Sequence, residues 1–156
     1  MKISYAITVC NEIVEIQRLV SFLLEHKREE DEITILFDVR GGTDEVEEYL
    51  RANSVNCEFN WIKNSFKGHF ADWKNYLTTL CSGDYIFQID ADEIPNESLI
   101  QLNSLLTDLA LRYSSTSSVP PLTSNKIVIS SSSLLCSKRK DTNLCISIIS
   151  LQTVIA

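Results

Sequence analysis

Hydrophobic positions along the first 112 residues switch between two rhythms. Short runs of strand-forming apolar residues occur at 3–9 (ISYAITV), 33–37 (ITILF), more weakly at 57–62 (CEFNWI), and at 85–89 (YIFQI). Between them, apolar side chains return every three or four positions. Ile13, Ile16, Leu19, Val20, Leu23 and Leu24 form one stripe, with Glu15, Arg18, Glu25 and Lys27 opposite, and predict an amphipathic helix over about 13–28. Shorter helices are predicted over about 44–52, capped by Thr43-Asp44, and over about 70–81, stopped by Ser82-Gly83. Pro95 suits the first turn of a fourth helix carrying Leu99, Ile100, Leu102, Leu105, Leu106 and Leu109. Strand and helix thus alternate four times. That order predicts an α/β protein, a three-layer α/β/α fold with a mainly parallel sheet.

Sheets of this kind bind ligands beyond the carboxyl ends of their strands. Polar residues fall there: Asn11 and Glu12 after the first strand, Asp38 after the second, Asp90 and Asp92 after the fourth. The last of these endings, YIFQIDADE at 85–93, is the most informative, because a buried strand runs into Asp90-Ala91-Asp92-Glu93. Two carboxylates at i and i+2 of an extended chain share a face. They repel, and a divalent cation relieves the repulsion. Hard oxygen ligands suit Mg²⁺ or Mn²⁺, which commonly take one or two carboxylates plus phosphate oxygens. One reading is a cation that joins Asp92, with Asp90, to a diphosphate. The other is a solvated acidic loop opening the next helix. Neither GxxxxGK[ST] nor GxGxxG occurs, and Gly41-Gly42 alone reads as a turn, so a metal is expected to do what a glycine-rich phosphate loop does elsewhere. Asp38 could accept hydrogen bonds from a base or ribose, or simply start its loop. Lys74 could reach a phosphate from the rim, or be a surface lysine. The run Arg28-Glu29-Glu30-Asp31-Glu32 reads as a solvated turn.

Charge and composition narrow the partners. The net charge of −7 argues against nucleic acid. The five cysteines, Cys10, Cys57, Cys81, Cys136 and Cys145, show no CxxC spacing, and the two histidines, His26 and His69, lie far from them in sequence. That argues against zinc and suits a reducing, cytoplasmic setting. No signal peptide is visible at Met1-Lys2, and no apolar stretch is long enough for a transmembrane segment. Composition breaks near Tyr113. Residues 1–112 carry ten Lys/Arg against twenty Asp/Glu, whereas 113–156 carry four against one.

Four stretches together resemble a known family. AITVCNE at 6–12, ITILFDVRGGTDE at 33–45, NSFKGHFADWKNYL at 64–77 and GDYIFQIDADE at 83–93 are similar, in order, to blocks of glycosyltransferase family 2, whose members have the Rossmann-like GT-A fold. The resemblance covers about residues 2–112. It implies a nucleotide-sugar-binding region there, and an enzyme that transfers a sugar from a nucleotide-diphospho-sugar, a UDP-sugar first among them, to an acceptor glycan or other hydroxyl compound. The reaction would be metal-dependent and inverting. By position, Thr8, Cys10 and Glu12 fall where the family contacts base and ribose, and Asp38 where an Asp binds the base. Lys74 stands where Arg is frequent, with Asn75 after it. Asp90 and Asp92 match the DXD motif, the second Asp being the usual ligand of Mn²⁺ or Mg²⁺. Cys10 departs from the Tyr common at its position, and the loop after Asp38 is about two residues longer than the usual form. Lys74 lacks the planar fork of Arg.

Family members take the acceptor's proton with a carboxylate from the second half of the domain. The only acid after residue 112 is Asp141, in SKRKDTN, which lacks the setting of such a base, so the general base is expected to be absent. The fold is expected to be truncated after the DXD strand and its following helix. Residues 113–156 read either as a Ser-rich, disordered extension or as out-of-frame sequence, the abrupt composition change favouring the second. NKIVIS at 125–130 and CISIISLQTVIA at 145–156 could still add edge strands. Two rivals remain. One is a non-catalytic nucleotide- or metal-binding module or inactive remnant. The other is a phosphoryl-transfer α/β fold, disfavoured because the first strand ends in Cys10-Asn11-Glu12 rather than the key Asp.

Overall fold

The computed structural model describes residues 2–56, 59–98, 100–101, 105, 127–130 and 152–153. The alternation read from the sequence is present: β1 (Ile3–Val9), α1 (Ile13–His26), β2 (Glu32–Asp38), α2 (Asp44–Ser54), β3 (Asn60–Asn64), α3 (Phe70–Leu80) and β4 (Tyr85–Asp90). Glu97, Ser98, Ile100, Gln101 and Leu105 are helical, beginning two residues after Pro95. Ile100 is buried, but Leu105, expected on the same apolar face, is 59% exposed. Leu99, Leu102, Leu106 and Leu109 lie outside the described residues.

The sheet order is β3-β2-β1-β4, continued by β5 (Ile127–Ser130) and β6 (Gln152–Thr153). The first five strands are parallel, and β6 runs antiparallel to β5. Residues of the Ser-rich stretch therefore contribute to the sheet, β5 as an inner strand and β6 at its edge. The rest of that stretch, with Asp141, lies outside the described residues.

Side-chain parity builds the three layers, since successive residues of a strand face opposite ways. Odd-numbered Ile3, Tyr5, Ile7 and Val9 of β1, Ile33, Ile35 and Phe37 of β2, and Phe87 and Ile89 of β4 pack against Ile16, Leu19, Val20 and Leu23 of α1 and Val46 and Leu50 of α2. Even-numbered Ala6, Leu36 and Ile86 face Trp73, Leu77 and Cys81 at α3. Gln88, on that same face, donates from its buried amide to Thr78 Oγ1 (2.9 Å) and to the Lys74 carbonyl (3.3 Å), tying α3 to β4.

Three local expectations change. β3 begins three residues later than read: the apolar Phe59 is buried before the strand, while the paired residues are those of an edge, half-buried at Trp61, Ile62 and Asn64 and exposed at Asn60 and Lys63. Thr43 occupies the N-cap of α2 without a side-chain cap bond, so the helix start rests on acids in its first turn, Asp44, Glu45 and Glu47. Gly83 is not a left-handed cap, since among the described residues the glycine with positive φ is Gly68. Gly83 is required for space: a Cβ there would lie 2.5 Å from Ser4 Oγ, 2.8 Å from Ser4 N and 2.9 Å from the Lys2 carbonyl.

The acidic run at 28–32 is also only partly solvated. Asp31 is buried, accepts the Ile3 amide (2.8 Å) and is held by the Arg28 guanidinium at both oxygens (3.0 and 2.9 Å). Glu32 receives Ser4 Oγ (2.5 Å), the Ser82 amide (2.6 Å), Ser82 Oγ (2.6 Å) and Lys2 Nζ (2.6 Å). Its carboxylate thus joins β1, β2 and the approach to β4 at the amino end of the sheet. The pattern of charges could not reveal this, because the partners are about 30 and 50 residues away. Burial alone would raise the Glu32 pKa, but the hydrogen bonds from Lys2, Ser4 and Ser82 outweigh it and bring the carboxyl down to about 2.

Two predictions follow from this end of the sheet. Gly83→Ala is expected to cost about 1–3 kcal/mol in a denaturant titration, because the added methyl meets backbone that cannot yield. Unchanged stability would show that the loop can shift. Because the Glu32 pKa is lowered on folding, its contribution is present above its ordinary value of 4.5 and is lost as the pH falls towards 2. Glu32→Gln should therefore flatten the dependence of stability on pH across that window, and an unchanged slope would count against the carboxylate's role.

Candidate functional site

The chain lays down β1, β2 and β3 in one direction, then crosses back to place β4 on the other side of β1. The carboxyl ends of β1 and β4 therefore flank the point where the order reverses, the usual crevice for a ligand. Thr8 and Asp90 are register partners there. Both are even-numbered and face the α3 side, as does Asp38. Parity thus brings Thr8, Asp90 and the α3 residue Lys74 together. Thr8 Oγ1 donates to Asp90 Oδ1 (2.5 Å), and Lys74 Nζ lies 2.6 Å from the same oxygen.

The protein itself thus supplies part of the positive charge that the acidic strand end demands. Lys74 is the more shielded partner, its side chain 21% exposed against 40% for Asp90. The stem is fixed because its neighbours Trp73, Leu77 and Thr78 are buried against the sheet. The i, i+2 argument for Asp90 and Asp92 does not hold geometrically. β4 ends at Asp90, and Ala91-Asp92 form a turn in which the Ala91 amide donates to the Thr8 carbonyl (3.1 Å) and the Glu93 amide to the Asp90 carbonyl (2.9 Å). Ala91 is buried, so the turn leaves Asp92 exposed, and among the described residues its carboxylate makes no hydrogen bond or ion pair. Glu93, not singled out from the sequence, accepts the Asp90 amide (3.2 Å) and so helps fix the turn.

A second group lies across β1, where β2 ends. Asp38 Oδ1 accepts the amides of Arg40 (2.9 Å) and Phe66 (3.0 Å), while Arg40 Nη1 donates to the Phe66 carbonyl (3.3 Å). Asp38 therefore does start its loop, and it also locks that loop to the one after β3. Its Oδ2 makes no hydrogen bond among the described residues. Glu12 Oε2 accepts the amides of Cys10 (2.8 Å) and Asn11 (3.1 Å), shaping the turn into α1. Cys10 sits under the long β2–α2 loop, where a Cβ on Gly41 would come within 2.9 Å of its Sγ. Burial, then the charges of Asp38 and Glu12, push the thiol pKa up, and the Gly41 amide offsets only part of this. Cys10 thus packs beneath the loop with a thiol less acidic than usual. Asn75, next to Lys74, is exposed.

Arg40 and Phe66 were missed in the sequence because each of their bonds runs through a backbone group of at least one partner; the lone cation in RGGT was the available signal. Around this rim Phe66 packs at a tilt against Phe70 (ring centroids 4.7 Å apart) and edge-to-face against Trp73 (5.8 Å). Among the described residues, no three His, Cys, Asp or Glu side chains are grouped to hold a metal without further ligands. No described helix is long and apolar enough to cross a membrane.

The architecture is shared with solved structures. Crystal structures of TarS 1-349 from S. aureus, one of them in complex with UDP, are similar at 18% identity with TM-scores of 0.57 and 0.56. The likeness covers 70% of this chain and 33% or 32% of the other, so the chain spans about a third of their length. At this identity the shared property is the fold, a Rossmann-like three-layer arrangement around a mainly parallel sheet. No family model and no curated protein sequence matches the chain.

Because Asp38 anchors two loops, Asp38→Ala should speed hydrogen exchange at the Phe66 and Arg40 amides by roughly tenfold or more, as expected for losing bonds worth about 1–3 kcal/mol. Asp38→Asn keeps an accepting oxygen and should protect them better. Equal exchange in all three proteins would refute the anchoring role.

Proposed function

We propose that this site binds the nucleotide-diphosphate part of an activated sugar, as the donor-binding region of a family 2 glycosyltransferase. The observation that carries the reading is the meeting of Thr8, Lys74 and Asp90 at the reversal of strand order, with Asp92 turned outward beside them. Likeness of fold to TarS, solved also with UDP, supports a UDP-sugar as the donor.

Each residue has a part that its position supports. Asp38 Oδ2 is left to accept an N–H of the base while Oδ1 keeps the loops in place. Thr8, Cys10 and Glu12 line the end of β1 on the way from base and ribose to the diphosphate. Lys74 contributes a positive charge from α3. Asp92, with the second oxygen of Asp90, would hold Mn²⁺ or Mg²⁺, which when bound neutralises a diphosphate leaving group. Carboxylate oxygens are the hard ligands such an ion takes, with Asp90 Oδ2 and the Asp92 carboxylate unengaged among the described residues. Because no three such side chains are grouped there, the remaining ligands would come from substrate phosphates and water. Transfer itself needs a base for the acceptor hydroxyl. None of these residues is placed in that role, so the property assigned to them is donor binding, and inverting transfer to a hydroxyl is the reaction that binding would serve.

The test is a thermal melt with UDP, with and without Mn²⁺. A ligand at a hundred times its Kd stabilises by about 2.7 kcal/mol, so Tm should rise by roughly 5–10 °C with both present. Asp92→Ala should remove most of that rise while melting normally without ligand. Absence of a shift with any nucleoside diphosphate would overturn the reading.

A further inference from the structure

Asp90, Asp92 and Glu93 follow one another in one turn of the chain, and Lys74 is paired with the first of them, Asp90. Lys74 and Thr8 both engage Asp90 Oδ1, so a cation arriving at Oδ2 meets a carboxylate already shared and an ammonium already in place. Like charges at such range in a half-shielded site repel appreciably. A diphosphate reverses the balance. It brings negative charge that an ammonium can join, and Lys74 need only rotate its flexible end, since its backbone is held by Thr78 and Gln88.

Resting on the reading above, we propose that Lys74 is a charge-exchange positioning residue. It holds Asp90 against Thr8 while the site is free of ligand, opposes a bare divalent cation, and turns to the diphosphate when cation and nucleotide arrive together. The two ligands would then bind cooperatively, Lys74 discouraging the metal alone and favouring the pair. Coupling of this kind commonly amounts to about 5- to 150-fold in affinity.

The full chain and Lys74→Met are titrated with Mn²⁺ alone, following free Mn²⁺ by electron paramagnetic resonance, and then with UDP at saturating Mn²⁺. Removing the ammonium should tighten Mn²⁺ alone by about tenfold and weaken UDP by about tenfold, opposite signs from one substitution. Lys74→Arg should leave both close to the original protein. Comparable melting temperatures without ligand establish that the variants fold, and if Lys74→Met does not fold, Lys74→Gln takes its place. Weaker binding of both ligands in the variant, or no change in either, overturns the exchange while leaving donor binding intact. Failure of the unsubstituted chain to bind UDP with Mn²⁺ defeats the underlying reading instead.

Discussion

β1 is paired on both sides, to β2 and to β4, and its two ends are where the chain brings acidic side chains into shielded surroundings. A carboxylate withdrawn from water must be met by donors or it destabilises the fold. At the amino end Asp31 is met by Arg28 and the Ile3 amide, and Glu32 by Lys2, Ser4 and Ser82. At the carboxyl end Asp90 is met by Thr8 and Lys74, and Asp38 by two loop amides. Apart from the local bonds of Arg28 to Asp31 and of the Arg40 amide to Asp38, these contacts reach from one element to another, so charge neutralisation and strand assembly are coupled.

The two ends nevertheless differ. At the amino end both oxygens of each carboxylate are engaged, which makes a closed fastening. At the carboxyl end the engagement is partial: one oxygen of Asp38 and one of Asp90 carry the structural bonds, and Asp92 carries none among the described residues. The helices that follow the strands begin at this same end, at Ile13, Asp44 and Phe70, so their positive poles face it. Acidic oxygens with spare capacity, a lysine anchored on α3 and helix amino termini together make this the end of the sheet with polar groups left over.

The β2–α2 loop shows how a small side chain and a glycine are matched. The loop, with two glycines, folds down over Cys10, close enough that a methyl group on Gly41 would collide with the thiol. A larger side chain at position 10 would need the loop to move away. The small thiol and the glycine therefore belong together, and they set the packing beyond the end of β1 rather than its charge.

Strand and helix order, the buried faces of β1, β2 and β4, and the cluster of polar residues at strand ends were all legible in the sequence, because periodicity is a local property and the side-chain period of a strand fixes its face. The individual roles were not. Asp90 and Asp92 read alike along the chain, yet one is paired and the other exposed, because the strand stops between them. Asp31 and Glu32 read as solvent-facing, yet they hold strands together through residues far away in sequence. The sequence by itself determined where charge would gather. Only the tertiary structure decided which charges are spent on the fold and which are left for a ligand, since that depends on donors brought near by chain crossing, about which local patterns carry no information.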